Sequence, residues 1–460
     1  MSDRDTATQV GTFVTPWTDS EDVGVVRVQT LRVVHGPVIN GRFPLAVLDR
    51  EPVAIGRAGE ITGPLALADR EVSRHHADVT RTEDGSWRLV ERGSRNGTAV
   101  DGVLVTETVL QHGAVVRVGR TLLLYLDQNV ATGKKLAPET PRLLGRSEAI
   151  RRLRAEIGQV APQQVPVLIL GPTGVGKELV AEEIHRQSAR TGRFVAVNCA
   201  GLPETLAESE LFGHVPGAFT GASQKRDGLF VAANGGTLFL DEIGEAPPSV
   251  QAKLLRALAL GEVRPVGSTE TIRVDVRIIA ATHRDLGAEM ARDGFRADLF
   301  ARLSGWVQRV PTVRERLDDV LPLAAMFLSR VAPGARLSTR AAEALLRYPW
   351  PFNVRELEQA MASAAVRAAG HKIRPEHLPA TIVATLGPAE PARTAAPHEV
   401  PIEMRVNPEN VPSAEDLVAV LAYFAGNIGQ VAEYFGKDRK QVYRWLERHG
   451  IERDNDRGGA

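Results

Sequence analysis

GPTGVGK, Gly171 to Lys177, follows the apolar run Val165 to Leu170 and opens a helical pattern over Glu178 to Ser188. Further on, TLFLDE (Thr237 to Glu242) ends an apolar strand, Leu238 to Leu240, on two acids. Strand, glycine turn, helix and a later acid-tipped strand is the order of a P-loop nucleotide site. Backbone N–H groups of the turn and of the following helix start would cradle phosphates, which assigns Gly171, Pro172, Thr173, Gly174, Val175 and Gly176 to the nucleotide. Lys177 would reach the β and γ oxygens. Asp241 and Glu242 stand at the carboxyl edge, where open α/β sheets place ligands. Asp241 is the expected metal partner and Glu242 the group that orients the attacking water, so ATP and Mg2+ are the expected cofactors. Glu178 occupies the position where Ser or Thr normally touches magnesium.

The chain around this segment has 460 residues, too many for one core, which predicts about three domains. Formal net charge is zero, so nucleic-acid binding has to come from a local patch. Cys199 is the only cysteine, which excludes an intramolecular disulfide and fits a reducing compartment. The polar start, MSDRDTATQ, is no signal peptide, and no apolar run approaches the roughly 20 residues that span a bilayer. A cytoplasmic, multidomain protein without membrane contact is expected.

Upstream, residues 1–23 lack periodicity and read as a tail. From Val25 to Leu126 short β-branched runs (RVQTLRVV, AVLDR, ADVT, WRLVE, AVVRV, TLLLYL) are split by Gly, Asp and Asn turns, the spacing of a β-sandwich. Gly56–Arg57, SRHHA (Ser73 to Ala77) and SRNGT (Ser94 to Thr98) fall between these runs. Each pair alone is hairpin chemistry. Together, in this order, they resemble the forkhead-associated (FHA) domain, a phosphothreonine-peptide reader, over the whole segment. A phosphate carrying about −1.5 to −2 charge wants a guanidinium, a hydroxyl and a fixed amide on adjacent loops. The resemblance implies that Arg57 and Ser73 hold the phosphate, that Arg74 and Arg95 add contacts, that Asn96 fixes the peptide backbone and that His76 braces the loop.

Residues 128–140 are polar with Gly and Pro and read as a linker. Beyond it, GPTGVGKELVA, VNCAGL, ELFGHVPGAFTGA, GGTLFLDEI, FRADLFARL, VRERLDD and WPFNVRELE resemble, in order, the AAA+ activators of sigma-54 RNA polymerase, over residues 143 to about 385. In that family Glu after the P-loop lysine is usual. The resemblance implies that Asn198 holds Glu242 in a γ-phosphate switch and that Arg296 and Arg302 act in trans as arginine fingers. Hydrolysis would then depend on ring assembly, the family's ring being a hexamer. Thr282 and His283 belong to the sensor strand, and Arg355 would be the lid's sensor arginine in cis. Asn353 and Glu356 look like a capping-box pair that puts Arg355 in a first helical turn. Two departures stand out: ATHRD has His283 in place of the sensor asparagine, and WPFNVREL has Phe352 in place of glycine. If that glycine supplied a positive φ, Phe352 would strain the turn, and hydrolysis would be slow or unusually regulated.

GAFTGA, Gly217, Ala218, Phe219, Thr220, Gly221 and Ala222, lies in a glycine-rich segment, Glu210 to Gly228, short of helix or strand periodicity. A flexible contact tip fits it better than core or an Ω-loop. By resemblance, Phe219 and Thr220 would touch sigma-54. After Pro311, Val320, Leu323, Ala324, Phe327 and Leu328 recur at helical spacing as core of a lid. Residues 386–412 are Pro- and Ala-rich, a semi-rigid linker. Three short helices follow, punctuated by Asn427, Gly436, Asp438 and Gly450 in helix-turn-helix fashion. In the third, Val442, Trp445 and Leu446 face inward. Lys440, Tyr443, Arg444 and Glu447 face the other way and would lie in the major groove, with Arg439, Lys440 and Arg448 also near phosphates. The segment resembles the Fis-type helix-turn-helix that ends many sigma-54 activators.

The expected fold is multidomain: an all-β FHA sandwich (24–127), an α/β AAA+ P-loop ATPase (141–312) with an α-helical lid (313–385), and an all-α helix-turn-helix (413–453) before a tail (454–460). The expected function is ATP-dependent activation of sigma-54 RNA polymerase from upstream promoter DNA, regulated by a phosphothreonine protein made by a serine/threonine kinase. The rivals are a DNA-bound phosphopeptide-binding regulator that does not remodel polymerase, and an AAA+ remodeller of another protein.

Overall fold

The computed structural model describes residues 25–38, 43–49, 51–131, 140, 142–219, 222–387, 412–423 and 428–450. Two compact units divide at residue 387. Thr220, Gly221 and Asn427 lie outside the described residues.

Period-2 alternation forms the N-terminal sandwich. One sheet orders the strands Leu45–Leu48, Val25–His35, Thr121–Ala131, Val115–Val118, Thr98–Val100 and Val103–Val105. The other orders Leu65–Leu67, Val53–Arg57, His75–Arg81, Trp87–Glu91 and Glu107–Val109. Trp87, Leu31, Leu123 and Tyr125 fill the space between them. The strand that begins at Thr121 continues to Ala131, paired with Val25, so it runs four residues into the stretch read as linker. Gly56 and Arg57 end a strand rather than lying between strands, and His75, His76 and Ala77 begin one.

The α/β subdomain has five parallel strands in the order Phe194–Asn198, Thr237–Asp241, Arg277–Thr282, Val167–Leu170 and Trp306–Arg309. Its central strands are apolar throughout because both faces are covered. Leu238, Leu240 and Ala280 pack into one core, and Phe239, Ile279 and Ala281 into the other. The carboxyl ends of these strands therefore converge on the turn Gly171–Lys177.

In the lid, helix Val320–Val331 buries Val320, Leu323, Ala324, Phe327 and Leu328, the stripe expected from spacing. The lid core does not end at the lid, because Val115, Leu122, Leu124 and Leu126 of the sandwich belong to the same buried cluster. Strand Thr121–Ala131 thus sends Leu123 and Tyr125 inward and Leu122, Leu124 and Leu126 to the lid. This explains why TLLLYL lacks polar alternation.

The C-terminal unit consists of helices Ala414–Tyr423, Ile428–Tyr434 and Arg439–His449. Leu417, Val431, Phe435, Val442, Trp445 and Leu446 form its core, with Phe435 edge-on to Trp445 at 5.5 Å. Asp438 caps the third helix through Gln441 N at 2.8 Å, and Gly450 ends it at φ +66°.

Candidate functional site

The turn Gly171–Lys177 takes left-handed conformations at Gly174 (φ +78°) and Gly176 (φ +100°). A Cβ on Gly174 would collide with the Phe352 carbonyl, so glycine is required there by closeness as well as by φ. Helix Lys177–Gln187 starts with no side-chain cap, which leaves its first amides for an anion. Lys177 is 7% exposed. Its ammonium donates to Gly171 O at 3.0 Å and Glu242 Oε1 at 3.3 Å. Glu178 is exposed on the first turn.

Asp241 ends its strand opposite Asn198, and its Oδ1 accepts from Glu242 N at 3.0 Å. Burial, and then the charge of Glu242, raises the Asp241 carboxyl above the ordinary carboxylate range. Burial acts on Glu242 in the same direction, but hydrogen bonds from His283 and the charge of Lys177 outweigh it and hold Glu242 below the ordinary range. The His283 contacts are Nδ1 at 2.7 Å and backbone N at 3.2 Å, both to Glu242 Oε2. Glu242 itself sits at φ +51°, a strained setting for a non-glycine residue of the kind found at functional sites. Asn198 Oδ1 instead accepts from Ala200 N at 2.9 Å. Glu242 is thus held by Lys177 and His283 rather than by Asn198. The Thr282 side chain is fully buried and accepts from Arg284 N at 3.0 Å, while its carbonyl accepts from Gly171 N. Burial, followed by Asp241 and Glu242, pushes the nearby Cys199 thiol up to about 12.

The lid reaches the P-loop through helix Asn353–Ala368. Val354 N and Arg355 N donate to Gly174 O at 3.0 and 3.3 Å, which places exposed Arg355 at the turn. Phe352 has φ −104°, so it carries no positive-φ strain. Trp350 and Asn353 hold the left-handed angles instead, at +52° and +55°. The expected Asn353–Glu356 capping box is absent. Asn353 donates to Thr173 O at 3.1 Å and accepts from Val313 N at 3.1 Å, and Glu356 caps Phe352 N at 3.1 Å. Exposed Arg296 forms a two-point pair with Asp298 at 3.0 and 2.7 Å, and Arg302 is exposed on helix Ala297–Leu303.

The GAFTGA segment is more ordered at its base than its composition implies. Helix Glu204–Phe212 precedes it, and Gly213–His214 pairs with Arg226–Asp227. Gly217 (φ +79°) donates to Ala222 O at 2.8 Å, Ala222 N donates to Phe219 O, and Ala222 is buried. Ala218 N donates to Val215 O. Phe219 is 38% exposed and lies edge-on to His214 at 5.0 Å.

On the sandwich, Arg57, Ser73, Arg74, Arg95 and Asn96 line one cavity of about 1100 Å³. Arg57 Nε donates to Val72 O at 3.0 Å, Arg95 N to Ser73 Oγ at 3.1 Å and Asn96 Nδ2 to Glu71 O at 2.7 Å. Fully buried His76 bridges Ser73 N and Gly97 O, each at 3.2 Å, and burial lowers its pKa. A neutral brace therefore sets the two loops. Arg70 also lines the cavity; the motif comparison missed it because it precedes SRHHA. In the C-terminal unit Arg439, Lys440, Tyr443, Arg444 and Arg448 are all exposed, opposite Val442, Trp445 and Leu446.

The Sigma-54 interaction domain family matches residues 143–307, the AAA+ ATPase lid domain residues 314–395 and the FHA domain residues 53–119. The chain is 43% identical over 336 residues to the transcriptional regulatory protein ZraR of Escherichia coli K12, covering 70% of this chain and 74% of that one. It is 55% identical over 249 residues to the nitric oxide reductase transcription regulator NorR1 of Cupriavidus necator, covering 52% and 48%. NtrX from Brucella abortus in complex with ADP superposes with TM-score 0.51 at 33% identity, over 67% of this chain and 70% of that one. The chain belongs to the sigma-54-dependent transcriptional regulators of the AAA+ class, and it carries an FHA domain at its N-terminal side. Among the described residues, no helix is long and apolar enough to cross a membrane.

Proposed function

We propose that this protein is an ATPase that activates transcription by sigma-54 RNA polymerase, under the control of a phosphothreonine protein bound to its FHA domain. The observation that carries the reading is the convergence of Lys177, Asp241, Glu242 and His283 at one sheet edge beneath an uncapped helix start. Lys177 would exchange Glu242 for the β and γ phosphates. Glu242, freed, would orient the attacking water, with Asn198 one strand away. Mg2+ fits: Asp241 is a half-buried acid beside a second acid, and a cation relieves that repulsion. Among the described residues, no group of three or more ligating side chains is placed to hold a metal. Asp241 would therefore share the ion with nucleotide phosphates, the usual arrangement for Mg2+, and the ion would neutralise developing charge. Arg296 and Arg302, both exposed, would reach a neighbouring subunit's nucleotide in a ring, in the family a hexamer, and Arg355 would sense it in cis.

Gly217, Ala218, Phe219, Thr220, Gly221 and Ala222 would couple this cycle to sigma-54, and the exposed basic face of the last helix would hold upstream promoter DNA, all within the cytoplasm. The test is ATP-dependent open-complex formation on a sigma-54 promoter with wild type and Thr220→Ala. We expect wild type to open the promoter and the variant to hydrolyse ATP without opening it. DNA binding without opening by wild type, under any phosphopeptide condition, would favour a non-remodelling regulator.

A further inference from the structure

We propose that the FHA domain acts on the nucleotide site of its own chain through the turn Val313–Asp319, so that the state of the phosphopeptide pocket sets nucleotide affinity. The proposal rests on the reading of both sites given above.

The turn carries its contacts on consecutive residues. Arg316, 5% exposed, donates to Val175 O of the P-loop at 3.5 Å. Leu317 meets the sandwich at Gly113, where a Cβ would lie 2.9 Å from Leu317 Cδ1. Asp318, 4% exposed, pairs with Arg32 of the sandwich at 3.0 Å. Asp319, fully buried, accepts from Arg146 N, Ser147 N and Ser147 Oγ at 2.6, 3.0 and 2.5 Å, which ties the turn to the start of helix Glu148–Val160. At the head of the turn, Val313 N binds Asn353, whose amide holds Thr173 O. Movement of the sandwich relative to this turn therefore displaces two carbonyls of the P-loop.

The sandwich side of the contact leads back to the phosphate pocket. Asn96 holds Glu71 O. Asp69, 2% exposed, accepts from Glu71 N at 3.0 Å with one oxygen. Its other oxygen accepts from Arg120 N at 2.7 Å and Thr121 Oγ1 at 2.9 Å. Arg120 O accepts from Thr339 Oγ1 of the lid at 3.0 Å, and Thr121 opens the strand whose Leu122, Leu124 and Leu126 pack on the lid. The Arg117–Glu343 pair, 3.1 Å apart with Glu343 fully buried, closes the same face. A ligand that moves exposed Asn96 or Glu71 acts through the buried Asp69 carboxylate and Thr121 on the close-packed face beyond them.

The experiment uses the full chain and reads affinity for a fluorescent ADP, together with hydrogen exchange of residues 122–126 and 171–177. Arg32→Glu sets two carboxylates against each other and should open the face. We expect faster exchange in both segments and a shift in ADP affinity of roughly fivefold or more, the lower end of usual coupling. Restoring opposite charge with Asp318→Arg in that background should return affinity to within about twofold of wild type. Leu124→Glu serves where the charge reversal leaves the face closed. Faster exchange at 122–126 with unchanged ADP affinity and unchanged exchange at 171–177 would overturn the proposal. A degenerate phosphothreonine peptide library then separates the two readings. Binding that shifts ADP affinity in wild type but not in Arg32→Glu supports the coupling, and binding without any shift sinks it. No binding removes the phosphothreonine reading and the peptide half of the proposal, and the charge reversal still decides whether the sandwich acts on the cleft.

Discussion

The cavity on the sandwich and the cleft at the P-loop both present cations for phosphate, but they hold them in opposite states. Arg74 and Arg95 are exposed and have no ion-pair partner among the described residues. Lys177 is buried and already paired with Glu242, which His283 holds from the other side. A phosphate entering the first meets Arg74 and Arg95 without having to take either from a carboxylate among the described residues. A phosphate entering the second has to take Lys177 from a carboxylate that His283 also holds. In the proposed reading, the difference separates a site set in advance for recognition from one whose acid is restrained until nucleotide arrives.

The largest expected effect breaks the second half of this comparison. Lys177→Ala should lower ATP turnover by about 10²-fold or more, because a positioned cation acts on developing phosphate charge in a water-poor site; steady-state hydrolysis measures it. Next, Arg57→Ala should weaken phosphothreonine-peptide binding by about tenfold or more, the worth of a charge-assisted hydrogen bond. Anisotropy titration checks this, and unchanged affinity would mean that the cavity does not hold the phosphate. Smaller is the effect at the turn Val313–Asp319. Burial, and then the charge of Asp319, raises Asp318 to about 6 despite Arg32. A folded-state pKa raised above the unfolded value contributes stability that is present below the unfolded pKa and lost as pH rises through about 6. Asp318→Asn should therefore melt higher than wild type at pH 7, by about 2 kcal/mol or less because Arg32 loses its charged partner. The two curves should meet near pH 4. The smallest effect sharpens the restraint itself: His283→Asn should raise ATP turnover roughly fivefold, the worth of one hydrogen bond. An unchanged rate would mean that the His283–Glu242 bond is not limiting.

Much of this was legible in the sequence because it is local. The glycine turn, the acid-tipped strand, the three short motifs that line the cavity and the split faces of the last helix are each written within a few residues of one another. What escaped is long-range. Arg32 and Asp318 stand 286 residues apart, and no periodicity links them. One signal was present: TLLLYL lacks the alternation of a half-solvated strand, which means that both faces are covered. Asn353 and Glu356 have the spacing of a capping box, yet the amide of Asn353 is drawn off by Thr173 O and Val313 N. Tertiary partners outcompeted the local one. Phe352 replaces a glycine without strain because the left-handed angles fall on Trp350 and Asn353 instead.

Helix Thr339–Arg347 buries six consecutive residues, Ala341 to Leu346, with the Glu343 carboxylate among them. A helix covered on every side cannot lose a neighbour without exposing oil and a charge together. Exchanging the N-terminal domain for another input module would uncover the side of this helix that meets Arg117 and Arg120. An exchanged module would have to supply new partners for Glu343 and Thr339, now met by Arg117 and by Arg120 O.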